Sequence, residues 1–177
     1  MRKTTKTMLG AMLWAAGFCA APAAPASEAI APPAALRDFL AQHAGSAWSG
    51  PAELWIDPLG NDTETSDATL HVDGDRLRYT WAFRGDPQQG VFTIDEAGLR
   101  WRDSWHQGDE VAVHDIAGDP ALLAVAYAYP AGPGGDWHWR MRLSRRPDGE
   151  LVLQMTNVAP WGEEARAVRM VFEPDGD

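Results

Sequence analysis

Residues 76–83, "RLRYTWAF", place Leu77, Tyr79, Trp81 and Phe83 at every second position, with Arg76, Arg78, Thr80 and Ala82 between them. The same two-residue period recurs in three other segments. In "LRWRDSWH" (99–106), Leu99, Trp101, Asp103 and Trp105 alternate with Arg100, Arg102, Ser104 and His106. In "WHWRMRLS" (137–144), Trp137, Trp139, Met141 and Leu143 oppose His138, Arg140, Arg142 and Ser144. In "LVLQMTNV" (151–158), Leu151, Leu153, Met155 and Asn157 oppose Val152, Gln154, Thr156 and Val158. Successive side chains of a strand point to opposite faces. Each segment therefore has one aromatic or apolar face and one polar, mostly arginine-bearing face, which predicts a curled sheet with an enclosed interior and a wet outside.

The punctuation between these segments agrees. Asp73-Gly74-Asp75 separates "ATLHV" from "RLRYTWAF", and Asp95-Glu96-Ala97-Gly98 separates "GVFTI" from "LRWRDSWH". Gly118-Asp119-Pro120 separates "VAVHDI" from "ALLAVAYAY", and Pro147-Asp148-Gly149 separates the third and fourth segments above. "WSGPAELWID" reads as extended and "RAVRMVF" as the last strand, while "PLGNDTETSD", "PAGPGGD" and "APWGEEA" read as loops. Turn signals every eight to twelve residues predict an antiparallel sandwich or barrel. Ahead of the first strand, "PAALRDFLAQHAG" carries Leu36, Phe39, Leu40 and His43 at helical spacing, and Gly45 supplies the stop. This predicts one short amphipathic helix, with His43 at the edge of its buried face or in solvent.

The N-terminus is of a different kind. Arg2, Lys3 and Lys6 precede an apolar stretch from Met8 to Ala24, and Ala24-Pro25-Ala26 is a small-x-small cleavage site. These are the three parts of a secretory signal peptide. Pro22 and Pro25 interrupt a stretch that is already short for a membrane span. Cleavage after Ala26 removes Cys19, the single cysteine, and with it any disulfide, thiolate metal site or cysteine nucleophile. It also removes three of the 15 basic residues, leaving twelve arginines against 25 acidic residues and moving the net charge from −10 to −13. Such a surface repels nucleic-acid phosphate and anionic headgroups, so neither a nucleic-acid partner nor membrane insertion of the cleaved chain is expected. The expected location is the periplasm or the medium.

Some residues also carry a family resemblance. "GSAWSG", just after the predicted helix, resembles the G-x-W opening of lipocalin-like (calycin) barrels, with Gly45 and Trp48 one position further apart than in the strict motif. The C-terminal half is similar to a group of bacterial proteins known only as domains of unknown function, for which a small lipocalin-like barrel is expected. The matching elements are Asp103, Ser104, Trp105 and His106; Trp137, Trp139 and Arg140 in a Trp-x-Trp-Arg strand; and Asn157, Val158, Pro160, Gly162 and Glu163. The resemblance covers about residues 36–172 and implies a capacity to hold a small ligand, but no reaction. Related haem-binding barrels ligate iron through a histidine close to the C-terminus, whereas the last histidine here is His138.

The expected architecture is an all-β, single antiparallel lipocalin-like (calycin) barrel with one short N-terminal helix. Residues 1–26 are the signal peptide, 27–35 a Pro/Ala spacer and 36–174 the barrel domain. The expected function is to hold a small apolar or aromatic molecule, a glycan fragment included, in the barrel interior. The pocket residues would be Tyr79, Trp81, Trp101, Asp103, Trp105, Trp137, Trp139 and Asn157, whose rings bury flat or apolar surface while the indole N–H groups act as polar handles. Asp103 on an apolar face must be paired, hydrogen-bonded or neutral. It reads as a structural anchor, as the specificity point of the pocket, or as the acid or base of an enzyme using the same cavity. A Ser–His–Asp triad within 103–106 fails on strand parity unless a bulge intervenes. His71, His106, His114 and His138 show no metal-binding spacing, so no metal or cofactor is expected. The arginines read as solvated cross-strand partners of Asp and Glu. A filled barrel that acts through an exposed apolar patch, with Trp55 and Trp161 as candidates, is the remaining alternative.

Overall fold

A computed structural model of the protein describes residues 29–56, 62–130 and 134–175. The segment read as a signal peptide, the first two residues of the spacer, residues 57–61 at the start of one predicted loop and residues 131–133 in the middle of another lie outside the described residues. Helix α1 (Ala34–Gln42) is followed by strands β1 (Ala47–Trp55), β2 (Thr63–Asp73), β3 (Arg76–Phe83), β4 (Asp86–Asp95), β5 (Gly98–Asp103), β6 (Gln107–Ala112), β7 (His114–Asp115), β8 (Leu123–Pro130), β9 (Asp136–Arg145), β10 (Leu151–Val158) and β11 (Glu164–Pro174). All eleven form one antiparallel sheet in the order β6-β5-β4-β3-β2-β1-β11-β10-β9-β8-β7. The sheet curls into a nearly closed barrel of lipocalin-like shape, and its two edge strands, β6 and β7, are consecutive in the chain. Val113 alone separates them and is fully buried. Across this seam the Trp101 ring meets Tyr127, with centroids 5.6 Å apart.

The interior is layered along the barrel axis. At the helix end Leu70, Leu77, Leu99, Leu123, Leu143, Leu151 and Phe172 fill the bore and are essentially inaccessible. Helix α1 lays Leu36, Phe39 and Leu40 over them. Phe39 packs on Trp48 of β1, and the Ile30 carbonyl accepts the Leu99 N–H at 2.9 Å, so the chain just ahead of the helix also crosses this end. Burying each large apolar side chain contributes about 1.5–3 kcal/mol, and these rows supply many such contributions. The outer face carries ion pairs: Arg78 with Asp73, Arg100 with Asp95 and Glu110, Arg140 with Glu164, Arg142 with Asp119, Arg146 with Glu150 and Arg169 with Glu53.

Three expectations change. Thr63 to Asp67, predicted as loop, are the first residues of β2, where Thr63, Thr65 and Ser66 pair with Trp55, Glu53 and Ala52. β-Branched threonines suit a half-exposed strand, and a loop reading weighs only their polarity. "VAVHDI" is divided between β6 and β7 because the chain changes sheet edge at Val113. Strand β5 ends at Asp103 instead of continuing to His106, and Ser104, Trp105 and His106 form the turn into β6.

Candidate ligand site

The end of the barrel opposite α1 is not filled. A recess of about 330 Å³ opens there, walled by Leu54, Trp55 and Ile56 from the end of β1, Trp81 and Phe83 from β3, Trp105 and His106 from the β5–β6 turn, Tyr129, Trp139, Asn157, Ala167 and Val168. Strand parity places most of these residues: each lies on the inward face where its strand reaches the open end. Tyr79 and Trp101 lie deeper. Tyr79 stacks on Trp81 with centroids 5.7 Å apart, and the Trp101 indole donates to the Tyr79 hydroxyl at 2.9 Å. Burial, helped by the charge of Asp103 and opposed by the Trp101 hydrogen bond, pushes the Tyr79 hydroxyl well above its usual pKa. Tyr129, also raised by burial, donates to Asn157 Oδ1 at 2.8 Å.

The turn between β5 and β6 determines the polar chemistry. Asp103 pairs with Gln107 across a three-residue loop, and the ladder shifts register between Trp101 and Asp103. The loop reverses the chain and brings His106 back beside Asp103. The carboxylate accepts the His106 backbone N–H at Oδ1 (2.6 Å) and faces His106 Nδ1 with Oδ2 (3.2 Å). Asp103 has no exposed side-chain surface, and His106 has 13%. The imidazole sits among rings, 4.2 Å from Trp139 and 5.6 Å from Tyr129 between centroids. A proton on Nδ1 would be hydrogen-bonded to this carboxylate oxygen.

The expectation that His106 lies on the face opposite Asp103 is therefore overturned, since parity holds only while the strand continues. Trp105 leaves the inward face for the same reason: it is 46% exposed and lines the mouth from the turn. The Ser–His–Asp reading stays excluded, now on direct geometry. Ser104 Oγ donates to Gln88 Oε1 at 2.7 Å and accepts the Gln89 N–H at 3.0 Å, which holds it on β4.

Of the eight residues expected to form a pocket, Trp81, Trp105, Trp139 and Asn157 line the recess. Tyr79, Trp101 and Asp103 support it from behind. Trp137 is half-buried at the rim, edge-on to Trp161 at 5.5 Å. The sequence reading did not assign His106, Tyr129, Phe83 and the β1 end to the pocket; inward parity at a strand end would have identified Phe83 and Tyr129. The Trp81 and Trp139 indole nitrogens are buried with no hydrogen-bond partner among the described residues. Ile56, Trp105 and Trp161, the large hydrophobic side chains exposed among the described residues, all lie at this same end.

A wider recess of about 580 Å³ lies at the helix end, between α1 and the β9–β10 turn. Its rings, Phe39, His43 and Trp48, already pack on one another, and the rest of its wall is mostly turn backbone and polar residues. Burial and the nearby Arg145 lower the pKa of His43.

No family model matches the chain, and no curated protein matches it. Among the described residues no helix is long and apolar enough to cross a membrane, and no three His, Cys, Asp or Glu side chains are grouped to hold a metal ion.

Proposed function

We propose that this protein is an exported binder of a small, mainly aromatic or apolar molecule, held in the open end of the barrel. The observation that carries this reading is the asymmetry of the bore: it is packed with leucine at the helix end and left as an aromatic recess of about 330 Å³ at the other. Ligand sites are typically concave, mostly apolar and few in number, with volumes from about 300 Å³ upward. A recess at the lower end of that range suits a molecule of one or two rings. Native mass spectrometry of the protein purified from its own host tests the reading directly. A co-purifying small molecule, lost in a Trp139→Ala variant that still folds, is the expected result. An empty spectrum, with tryptophan fluorescence unmoved by a panel of aromatic compounds, refutes it.

A second reading, acid–base catalysis, is favoured by the His106–Asp103 pair, because an imidazole oriented by a buried carboxylate is a common arrangement for a general base. In that reading His106, which lines the recess, meets the substrate and Asp103 positions it. Turnover would appear in the same experiment as a bound product of altered mass.

A further inference from the structure

We propose that the molecule held in the recess is an amphiphilic cation: an apolar, ring-bearing body seated among the aromatic side chains, with an ammonium group left at the mouth. This inference rests on the recess being a binding site. The polar atoms of the wall do not choose a ligand, because Tyr129 and Asn157 bond each other and still offer both donors and acceptors. Charge does discriminate. Among the described residues no arginine or lysine lines the recess. Asp103 faces His106 Nδ1 at 3.2 Å, so with the carboxylate ionised the pair sums to zero or to minus one, whichever state the imidazole takes.

Two observations at the rim point to a cation. The arginine–ring contacts among the described residues both fall on rings that line this recess: the Arg84 guanidinium lies 5.0 Å from the Phe83 centroid, and that of Arg166 lies 5.7 Å from Trp55. Aromatic faces at the mouth thus already attract cations within the chain. Trp105, exposed at the same mouth, has no such partner among the described residues. The second observation is an acidic ring. The strands that enter the barrel from the open end, β2, β4, β6, β9 and β11, carry a carboxylate at, just before or shortly after their first residue: Asp62, Asp86, Asp109, Asp136 and Glu164. Glu164 is paired with Arg140, but the four aspartates are exposed and have no ion-pair partner among the described residues. A recess rimmed by one sign of charge concentrates ligands of the other. Strands β4 and β6 flank β5, so Asp86 and Asp109 stand on either side of the turn that carries Trp105. An anionic amphiphile has Arg84 and Arg166 to approach, but both are stacked on rings and outnumbered by the four aspartates. A neutral molecule uses neither feature.

The test measures affinities by equilibrium dialysis for three probes of similar size: phenyltrimethylammonium, tert-butylbenzene as its uncharged isostere, and benzenesulfonate. The native protein should hold one phenyltrimethylammonium per chain and prefer it to tert-butylbenzene by about five- to thirtyfold, the range for a cation on aromatic faces. That preference should fall by about threefold or more in Asp86→Asn/Asp109→Asn, as for exposed charge pairs, and also in Trp105→Leu. All three substitutions change exposed side chains. Equal affinity for the cation and its isostere overturns the charge assignment while leaving the recess as a binding site. Tightest binding of benzenesulfonate overturns it in favour of an anion held by Arg84 and Arg166. Uptake of phenyltrimethylammonium that does not saturate marks diffuse counterion attraction and overturns it too. A preference unchanged in both the double variant and Trp105→Leu overturns the role of the rim. Failure of every probe to bind overturns the recess reading and this inference with it.

Discussion

Gly90 of β4 stands directly opposite Tyr79 of β3 and, on its other side, opposite Asp103 of β5. A Cβ at this position would lie 2.1 Å from Tyr79 Cζ and 2.2 Å from its hydroxyl oxygen, where ordinary carbon contacts are about 3.5–4.0 Å. The ring would have to retreat by more than an ångström, but it is fully buried. It is also stacked on Trp81, packed on Phe92 and hydrogen-bonded to Trp101. Overpacking of this kind costs about 1–3 kcal/mol. Breaking the Trp101–Tyr79 hydrogen bond would strand buried donors at a further cost of about 1–3 kcal/mol. Gly90→Ala should therefore lose about 2–6 kcal/mol, a large share of the roughly 5–15 kcal/mol that holds a domain folded. Urea unfolding of four proteins measures it: the native chain, Gly90→Ala, Tyr79→Leu and the double variant. Leucine removes the three atoms that the new methyl would strike, so Gly90→Ala should cost less than about 0.5 kcal/mol in that background. A loss below 0.5 kcal/mol in the native background, or equal losses in both, refutes the placement of Tyr79 over Gly90.

Tyr79→Phe should flatten the alkaline limb of stability. Burial holds the folded Tyr79 hydroxyl above its usual value of 10.0, so the folded state keeps a proton that the unfolded chain releases. That contribution is complete below about pH 10 and is lost as pH rises further. Urea midpoints between about pH 9 and 11 should fall more steeply for the native chain, and parallel curves would contradict the burial of this hydroxyl. Asp103→Asn removes the acceptor that fixes the His106 tautomer and should destabilise the domain by about 1.5–3 kcal/mol, the range for a charge-assisted hydrogen bond. Nitrogen NMR of the His106 ring should show the proton on Nδ1 in the native chain, and a proton on Nε2 alone would exclude the pairing.

Much of this interior is encoded at single-residue resolution, because burial on one face of a strand imposes a period that composition cannot hide. Leu77, Tyr79 and Trp81 are buried and Arg76 is exposed, as their alternation predicts, and Trp139, Met141 and Leu143 behave likewise on β9. The pattern fails where the strand stops. "LRWRDSWH" keeps its two-residue period through 106, yet the chain turns after Asp103. A three-residue loop inverts the expected relation, and His106 comes onto the carboxylate that parity placed it against. The turn carries neither glycine nor proline, so the usual punctuation is missing; Asp103, capping the turn with its own side chain, is the only local signal. The height of a residue along the bore was also hidden. Tyr79 and Trp81 belong to one face of one strand, and only the position of the helix decides that the first is packed and the second lines a recess.

In the proposed binder, that asymmetry separates stability from binding along one axis. The side chains of the leucine row under α1 are essentially inaccessible and have no polar atom to offer a ligand. The aromatic end has the polar valences but little else to bury, since Trp105 and Ile56 remain exposed there. Removing a carboxylate from water costs several kcal/mol unless hydrogen bonds compensate, and an Asn or Ser could cap the same turn at lower cost. Asp103 does more than a cap requires: one oxygen closes the turn, while the other fixes the ring of a residue that lines the recess. Under the proposed binding function, this division of the two oxygens would link the local structure of the β5–β6 turn to recognition at the barrel mouth, and it would make Asp103 the residue through which folding and binding are coupled.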